Sequence, residues 1–327
     1  MNNSDSPINL QYTTIQEEVP DFIYQGLAQY IKNCNTYYSQ PPFLRETIAG
    51  KFKLPSPEWV FLTNGVDEAI RICLELFGNS THIFTPTEYT TLHQFCPSVI
   101  NHNSLVNNSY TISSDKIENA SLMIIANPNN PVGYIEKEII IKLLSNNPQT
   151  IIAIDEIYGE YSPHLSVVDL LQKYNNLVVF RGMSKSYGLA GIRIGYILAN
   201  PSILKKISEK ATWSNVSYPS CGAAQVALEH EDYYEDLRSS VLKRKKEIVD
   251  LLEKNEFSVI PSLINTITIK FESENGSVDF VRLLSKKGIL VNQGESDGKV
   301  GVDSSYVSFV VGTENQMKGL VDAIIKK

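Results

Sequence analysis

A chain of 327 residues that is 43% hydrophobic and 20% charged can bury a sizeable core and has room for about two domains. Its net charge of −7 argues against a nucleic-acid binder, which carries a basic surplus. No run reaches the ~18 uncharged apolar residues of a membrane span, and the polar start from Met1 to Pro7 lacks the apolar core of a secretory signal. The cysteines Cys34, Cys73, Cys96 and Cys221 have no C-x-x-C spacing, so reduced thiols in a cytoplasmic protein are expected.

From residue 58 short apolar runs alternate with amphipathic ones. Trp59–Thr63 predicts a strand, and Val66–Phe77 a helix with Ile70, Cys73, Leu74 and Phe77 on one face. The runs 82–85, 122–126, 151–154 and 177–180 are continuously apolar, as in strands covered on both faces of a mostly parallel sheet. A helix over Glu136–Leu144 falls between two of them, and the alternation implies an α/β layered domain. The Asn-rich patches 101–108 and 145–147 read as loops. After residue 200 the pattern predicts helices over 202–212 and 223–254, the second long enough to join two domains. Strands at 257–260, 266–270, 289–291 and 307–311 follow, with helices near 278–287 and from Glu314. The expected division is a large domain over 36–220, a linking helix over 221–254 and a small α+β domain over 255–327. Residues 1–35 are expected to pack with the small domain.

The most informative segment runs from Phe180 to Tyr196, FRGMSKSYGLAGIRIGY. A strand delivers Ser184 and Lys185 into a glycine-punctuated turn, and Arg193 follows eight residues later. A lysine at a strand end can sit in a partly desolvated pocket where its amine is nucleophilic, and an arginine can return there as an anion clamp. Alone, this is also what an ordinary basic surface turn looks like. Other segments change that reading. Asp155 closes the run IIAID, and Tyr158 follows in DEIY. Asn130 lies in the turn NPNNPVG after a buried strand, and NGVDEA places Gly65, Val66 and Asp67 at a strand-to-helix junction. Free amides at such a helix start form a phosphate cradle.

Taken together, in this order and at these intervals, the segments resemble the class I/II pyridoxal-phosphate-dependent aminotransferases of fold type I. The resemblance covers roughly residues 36–325 and is nearest the histidinol-phosphate aminotransferase and threonine-phosphate decarboxylase branch. It implies a mostly parallel sheet flanked by helices, a smaller C-terminal α+β domain, and pyridoxal phosphate held as a Schiff base on Lys185. The cofactor is an electron sink, and Lys185 would also carry the proton between carbons. By the same resemblance Asp155 pairs with the pyridine nitrogen, Asn130 and Tyr158 bond the 3′-oxygen, and Ser184 and Arg193 join the helix amides on the phosphate. Tyr89 is matched to the ring-stacking place, with Glu88 as a rival. Tyr37 or Tyr38 matches a tyrosine lent to the neighbouring subunit of a homodimer. Asn215 and Asn265 match substrate-pocket positions.

The chain also departs from the family pattern. Gly182 stands where a phosphate-binding Ser or Thr is usual. Ser308, in SFVVGT, and Asn292, in GILVN, stand where the family and the branch carry arginines for an anionic substrate. An arginine fork is not easily replaced, so the expected substrate is an amino acid or amine whose carboxylate is held in an unusual way or is absent. Arg45 and Lys299 are the candidates for restoring the charge. The favoured activity is amino transfer between small-molecule donor and acceptor. A decarboxylase or other Cα reaction on the same cofactor, and a fold retained only for binding, are the alternatives. Ser202–Lys205 fits S-x-x-K without partner motifs, the five histidines lack metal-ligand spacing, and Gly188, Gly191 and Gly195 do not form a dinucleotide fingerprint.

Overall fold

The computed structural model describes residues 7–86, 99–295 and 301–325. Strand β1 (Ile8–Asn9) and helices α1 (Asp21–Ile31) and α2 (Pro42–Lys51) lead into strand β2 (Val60–Asn64) and helix α3 (Gly65–Phe77). Strands β3 (Thr81–Thr85) and β4 (Val99–Asn103) are followed by a hairpin, β5 (Leu105–Val106) and β6 (Ser109–Tyr110). Next come β7 (Leu122–Ala126), α4 (Lys137–Asn146), β8 (Ile151–Asp155), β9 (Leu177–Gly182) and β10 (Ile194–Ala199). Helices α5 (Pro201–Lys210), α6 (Tyr218–Glu229) and α7 (Glu231–Lys254) lead to β11 (Ser258–Ile260) and β12 (Thr266–Lys270). Helix α8 (Glu274–Lys286), strands β13 (Ile289–Leu290), β14 (Asn292–Gln293) and β15 (Tyr306–Val310), and helix α9 (Glu314–Ile325) follow.

Seven strands form the central sheet in the order β2-β10-β9-β8-β7-β3-β4. Strand β10 is antiparallel to both neighbours, and the remaining pairs are parallel. The continuous apolar runs are explained by the two faces. Successive strand residues point to opposite sides, so Met123, Ile125, Ile152, Ile154 and Val179 enter one core. Their neighbours Leu122, Ile124, Ala153, Val178 and Phe180 enter the other, with Ile70, Cys73 and Leu74 of α3 and Ile203, Leu204 and Ile207 of α5. A second, antiparallel sheet has the order β11-β12-β15-β14. Its core gathers Ile267, Ile269, Val307 and Phe309 with Leu10, Val241, Leu284 and Leu320.

Several expectations are corrected. The helix predicted over 223–254 is two, because His230 (φ −114°, ψ 39°) leaves helical geometry between α6 and α7. Its imidazole is held by the Val226 carbonyl at 2.8 Å and stacks on Phe22 at 4.1 Å. The patch 101–108 is not wholly loop, since β4 pairs in parallel with β3 as the polar edge of the sheet. The described part of the 1–35 segment, residues 7–35, does not pack as one piece on the small sheet. Strand β1 pairs in parallel with β13, but Ile23 of α1 enters the core of the large sheet.

One buried charge ties the long helix to the small sheet. Lys245 of α7 donates from Nζ to the Ser262 and Ile264 carbonyls, each at 2.7 Å, and burial pushes its amine down from 10.5 to about 7. A base whose folded value is depressed destabilises the fold below that value, and the penalty is relieved as pH climbs toward the unfolded value. The native protein should therefore gain stability over Lys245→Met by about 1.4 kcal/mol per pH unit between pH 7.5 and 9.5. Denaturant unfolding at both pH values checks this, and a gap that stays constant shows that Lys245 does not titrate there.

Candidate active site

The site forms where strands of the central sheet end. Asp155 is the last residue of β8 and is buried, with Oδ1 accepting from the Ile157 amide at 2.8 Å. The next residue, Glu156, faces away and joins Glu160 and Ser166 around the buried Arg181. Burial pulls the Arg181 proton affinity down, but Glu160 and Glu156 more than offset it, so the guanidinium stays charged. Gly159 leaves room for it, because a Cβ there would lie 2.7 Å from Arg181 Cζ. This ion cluster braces the turn from which Tyr158 projects.

Beyond β9 the chain turns through Ser184 and Lys185 and returns as β10. Lys185 Nζ donates to Thr13 Oγ1 at 2.6 Å, and the Tyr158 hydroxyl donates to the same oxygen at 2.7 Å. Lys185 Nζ also lies 5.6 Å from the centre of the Tyr158 ring.

One cavity beside Lys185 is lined by Val66, Asp67, Asp155, Ile157, Ser184, Ala190 and Arg193. Its floor is built by glycine. Gly65 has φ +72°, and a Cβ there would lie 2.4 Å from Arg193 Nη2. A Cβ on Gly195 would fall 2.5 Å from the Gly65 carbonyl carbon. These two positions let the start of α3 lie directly against β10. The Gly65 amide donates to the Arg193 carbonyl at 3.1 Å and so is not free for an anion as expected, but the Asn64 side chain does not cap α3, which leaves the Val66 and Asp67 amides available. Arg193 donates to Asp67 Oδ2 at 2.9 Å and is partly exposed. At Gly182 a Cβ would meet Ile157 Cδ1 and the Ile194 carbonyl oxygen at 3.0 Å each, which accounts for the missing hydroxyl.

A second cavity opens on the other side of Lys185. Asn130, Asn292 and Ser308 line it with Gln11, Tyr12, Thr13, Thr14, Gln16, Gln293 and Glu295. Among the described lining residues Lys185 is the one cation. Asn292 Nδ2 donates to the Gln11 carbonyl at 2.8 Å. Asn265 lies beneath this wall, fully buried, and reaches the Thr13 carbonyl at 3.5 Å.

Not every predicted residue arrives. The Asn215 amide is spent on the Leu62 carbonyl, Glu68 Oε2 and Gln40, and it lines neither cavity. Arg45 donates to the Val60 and Pro57 carbonyls at 3.0 and 2.7 Å and is therefore not turned to a substrate. Tyr37 is 79% exposed and leans on the exposed Trp213, whereas Tyr38 stacks on Tyr218. Tyr89, Glu88 and Lys299 lie outside the described residues. Thr13, which sequence reasoning missed, stands at the centre of the arrangement. Its segment QYTTIQ carries no motif, and only the fold brings it to the lysine.

With a buried carboxylate, a wall lysine and an arginine beside bare helix amides on one cavity, the donors fit a cofactor with a basic ring and a phosphate. The sequence profile described as aminotransferase class I and II matches residues 9–324. The chain belongs to that family and is a pyridoxal-phosphate-dependent transferase of fold type I. It is similar to histidinol-phosphate aminotransferase 1 of Oceanobacillus iheyensis, 29% identical over 99% of this chain and 93% of that protein. The crystal structure of histidinol-phosphate aminotransferase from Clostridium acetobutylicum superposes with a TM-score of 0.87 at 26% identity, covering 97% of this chain and 98% of that one. L-threonine-O-3-phosphate decarboxylase from Porphyromonas gingivalis shares the fold, with a TM-score of 0.84 at 21% identity and 98% of each chain covered. Among the described residues no helix is long and apolar enough to cross a membrane, and no group of acidic, His or Cys side chains could hold a metal.

Proposed function

We propose that this aminotransferase moves an amino group from a small amine or modified amino acid to a carbonyl acceptor, with Lys185 as the residue that bears the cofactor. The observation that carries the reading is the place of Lys185, in the wall between an anion-receiving cavity and a polar cavity with no other described cation. Asp155 would pair with the pyridine nitrogen, and Asn130 and Tyr158 with the 3′-oxygen. The amides of Val66 and Asp67, with Ser184 and Arg193, would take the phosphate. Bound there, pyridoxal phosphate supplies the electron sink that makes a substrate carbon acidic. Lys185 Nζ then removes that proton and returns it to a neighbouring carbon, as a general base and acid. Asp155, buried and fixed by the Ile157 amide, keeps the opposing ring nitrogen protonated.

The outer cavity sets the substrate class. Ser308 and Asn292 offer a hydroxyl and an amide where an anionic substrate would need a guanidinium. A hydrogen bond to a charged group contributes roughly 1.5–3 kcal/mol, about 10- to 150-fold in binding. Alanine, glutamate and histidinol phosphate, each anionic next to the reacting carbon, are therefore expected to turn over poorly as a group, and amines with no anionic group there to turn over well. A screen following loss of cofactor absorbance checks this, and efficient glutamate turnover would refute it. Ser308→Arg should tighten binding of simple α-amino acids by about that 10- to 150-fold. The same missing charge favours a second reading, decarboxylation, and release of carbon dioxide in place of a ketone identifies it. The exposed aromatic pair Tyr37 and Trp213 supports a homodimer in which Tyr37 serves the neighbouring site. The thiols of Cys34, Cys73 and Cys221 are free, in keeping with a cytoplasmic place.

A further inference from the structure

We infer that Thr13 is a positioning residue of this site, the acceptor on which the Lys185 amine rests when it is not joined to the cofactor. The inference rests on Lys185 being the cofactor-bearing lysine. A threonine hydroxyl has two acceptor lone pairs, and Thr13 Oγ1 spends both on acid–base groups, taking Lys185 Nζ at 2.6 Å and the Tyr158 hydroxyl at 2.7 Å. Thr13 is itself buried, so water does not readily replace it.

Its backbone is held from both sides. The Thr13 carbonyl accepts from Asn265, and Thr14 Oγ1 donates to the Ser184 carbonyl at 2.7 Å, directly before the lysine. Three residues earlier the strap is part of the small sheet's surroundings, with Leu10 N donating to the Leu290 carbonyl and Val310 N donating to the Leu10 carbonyl. Lys185 and Tyr158 stand on the large sheet. The Thr13 hydroxyl therefore sets where the amine waits relative to the small unit.

Removing the hydroxyl takes one acceptor from the amine and leaves it less well placed. Because the placed amine is the group that captures pyridoxal phosphate, the capture rate of apoenzyme should fall in Thr13→Val by about 10-fold. Thr13→Ser, which keeps the oxygen, should restore the native rate. Thr13→Ala is a second variant should valine fail to fold. A capture rate in folded Thr13→Val or Thr13→Ala that equals the native one overturns the assignment. The reading beneath it fails separately: borohydride reduction of native holoenzyme and peptide mapping would then place the label on a lysine other than Lys185.

Discussion

Lys185→Ala is expected to fold with nearly native stability and to lose turnover. Its amine is half-buried and donates to Thr13, so little packing is removed. Loss of the proton carrier alone costs roughly 10²–10⁴-fold, and loss of the covalent link adds to that. Borohydride reduction of the native holoenzyme should fix the pyridoxyl group on the peptide containing Lys185, and a thermal melt of the variant should stay close to native. A variant that melts normally and still turns over would remove Lys185 from the mechanism.

Asp155→Asn should keep the cofactor but lose about 10²–10³-fold in kcat, in line with losing one preorganised electrostatic partner. Asparagine retains an oxygen for the Ile157 amide, so the turn after β8 is preserved, but it no longer holds a proton on the ring nitrogen. Asp155→Glu keeps the charge and should lose less. Equal kcat for native and Asp155→Asn would mean that another group faces the ring. Cofactor content measured after denaturation separates a catalytic loss from a binding loss.

The parts of the fold that were legible are those in which one strong force writes the sequence. Strands covered on both faces read as continuous apolar runs, and β3, β7, β8 and β9 are legible that way. Strand β10 is hidden because Ile194–Ala199 follows directly on the lysine segment, whose motif masks it. Strand β4 leaves a weak signal because an edge strand needs few apolar residues, and Val99–Asn103 has polar ones. The cofactor side of the site was legible because its chemistry demands particular residue types at fixed intervals after strands. Asn215 shows the limit: spacing places a residue near a site but does not aim its side chain, which here braces Glu68. Thr13 shows the converse, since contacts made across more than 140 residues leave no local trace.

Among the described residues strand β1 has one sheet partner, β13, about 280 residues further along the chain. During synthesis at roughly 5–20 residues per second, the first strand therefore emerges on the order of 15–60 s before the segment that receives it. Through that interval the central sheet can assemble in order, while Ile8 and Leu10 have nowhere to dock and Thr13 is unplaced. The lysine meets its threonine among the last events of folding. A ribosome-bound chain that ends before residue 289 should carry a formed large sheet and an unassembled catalytic centre.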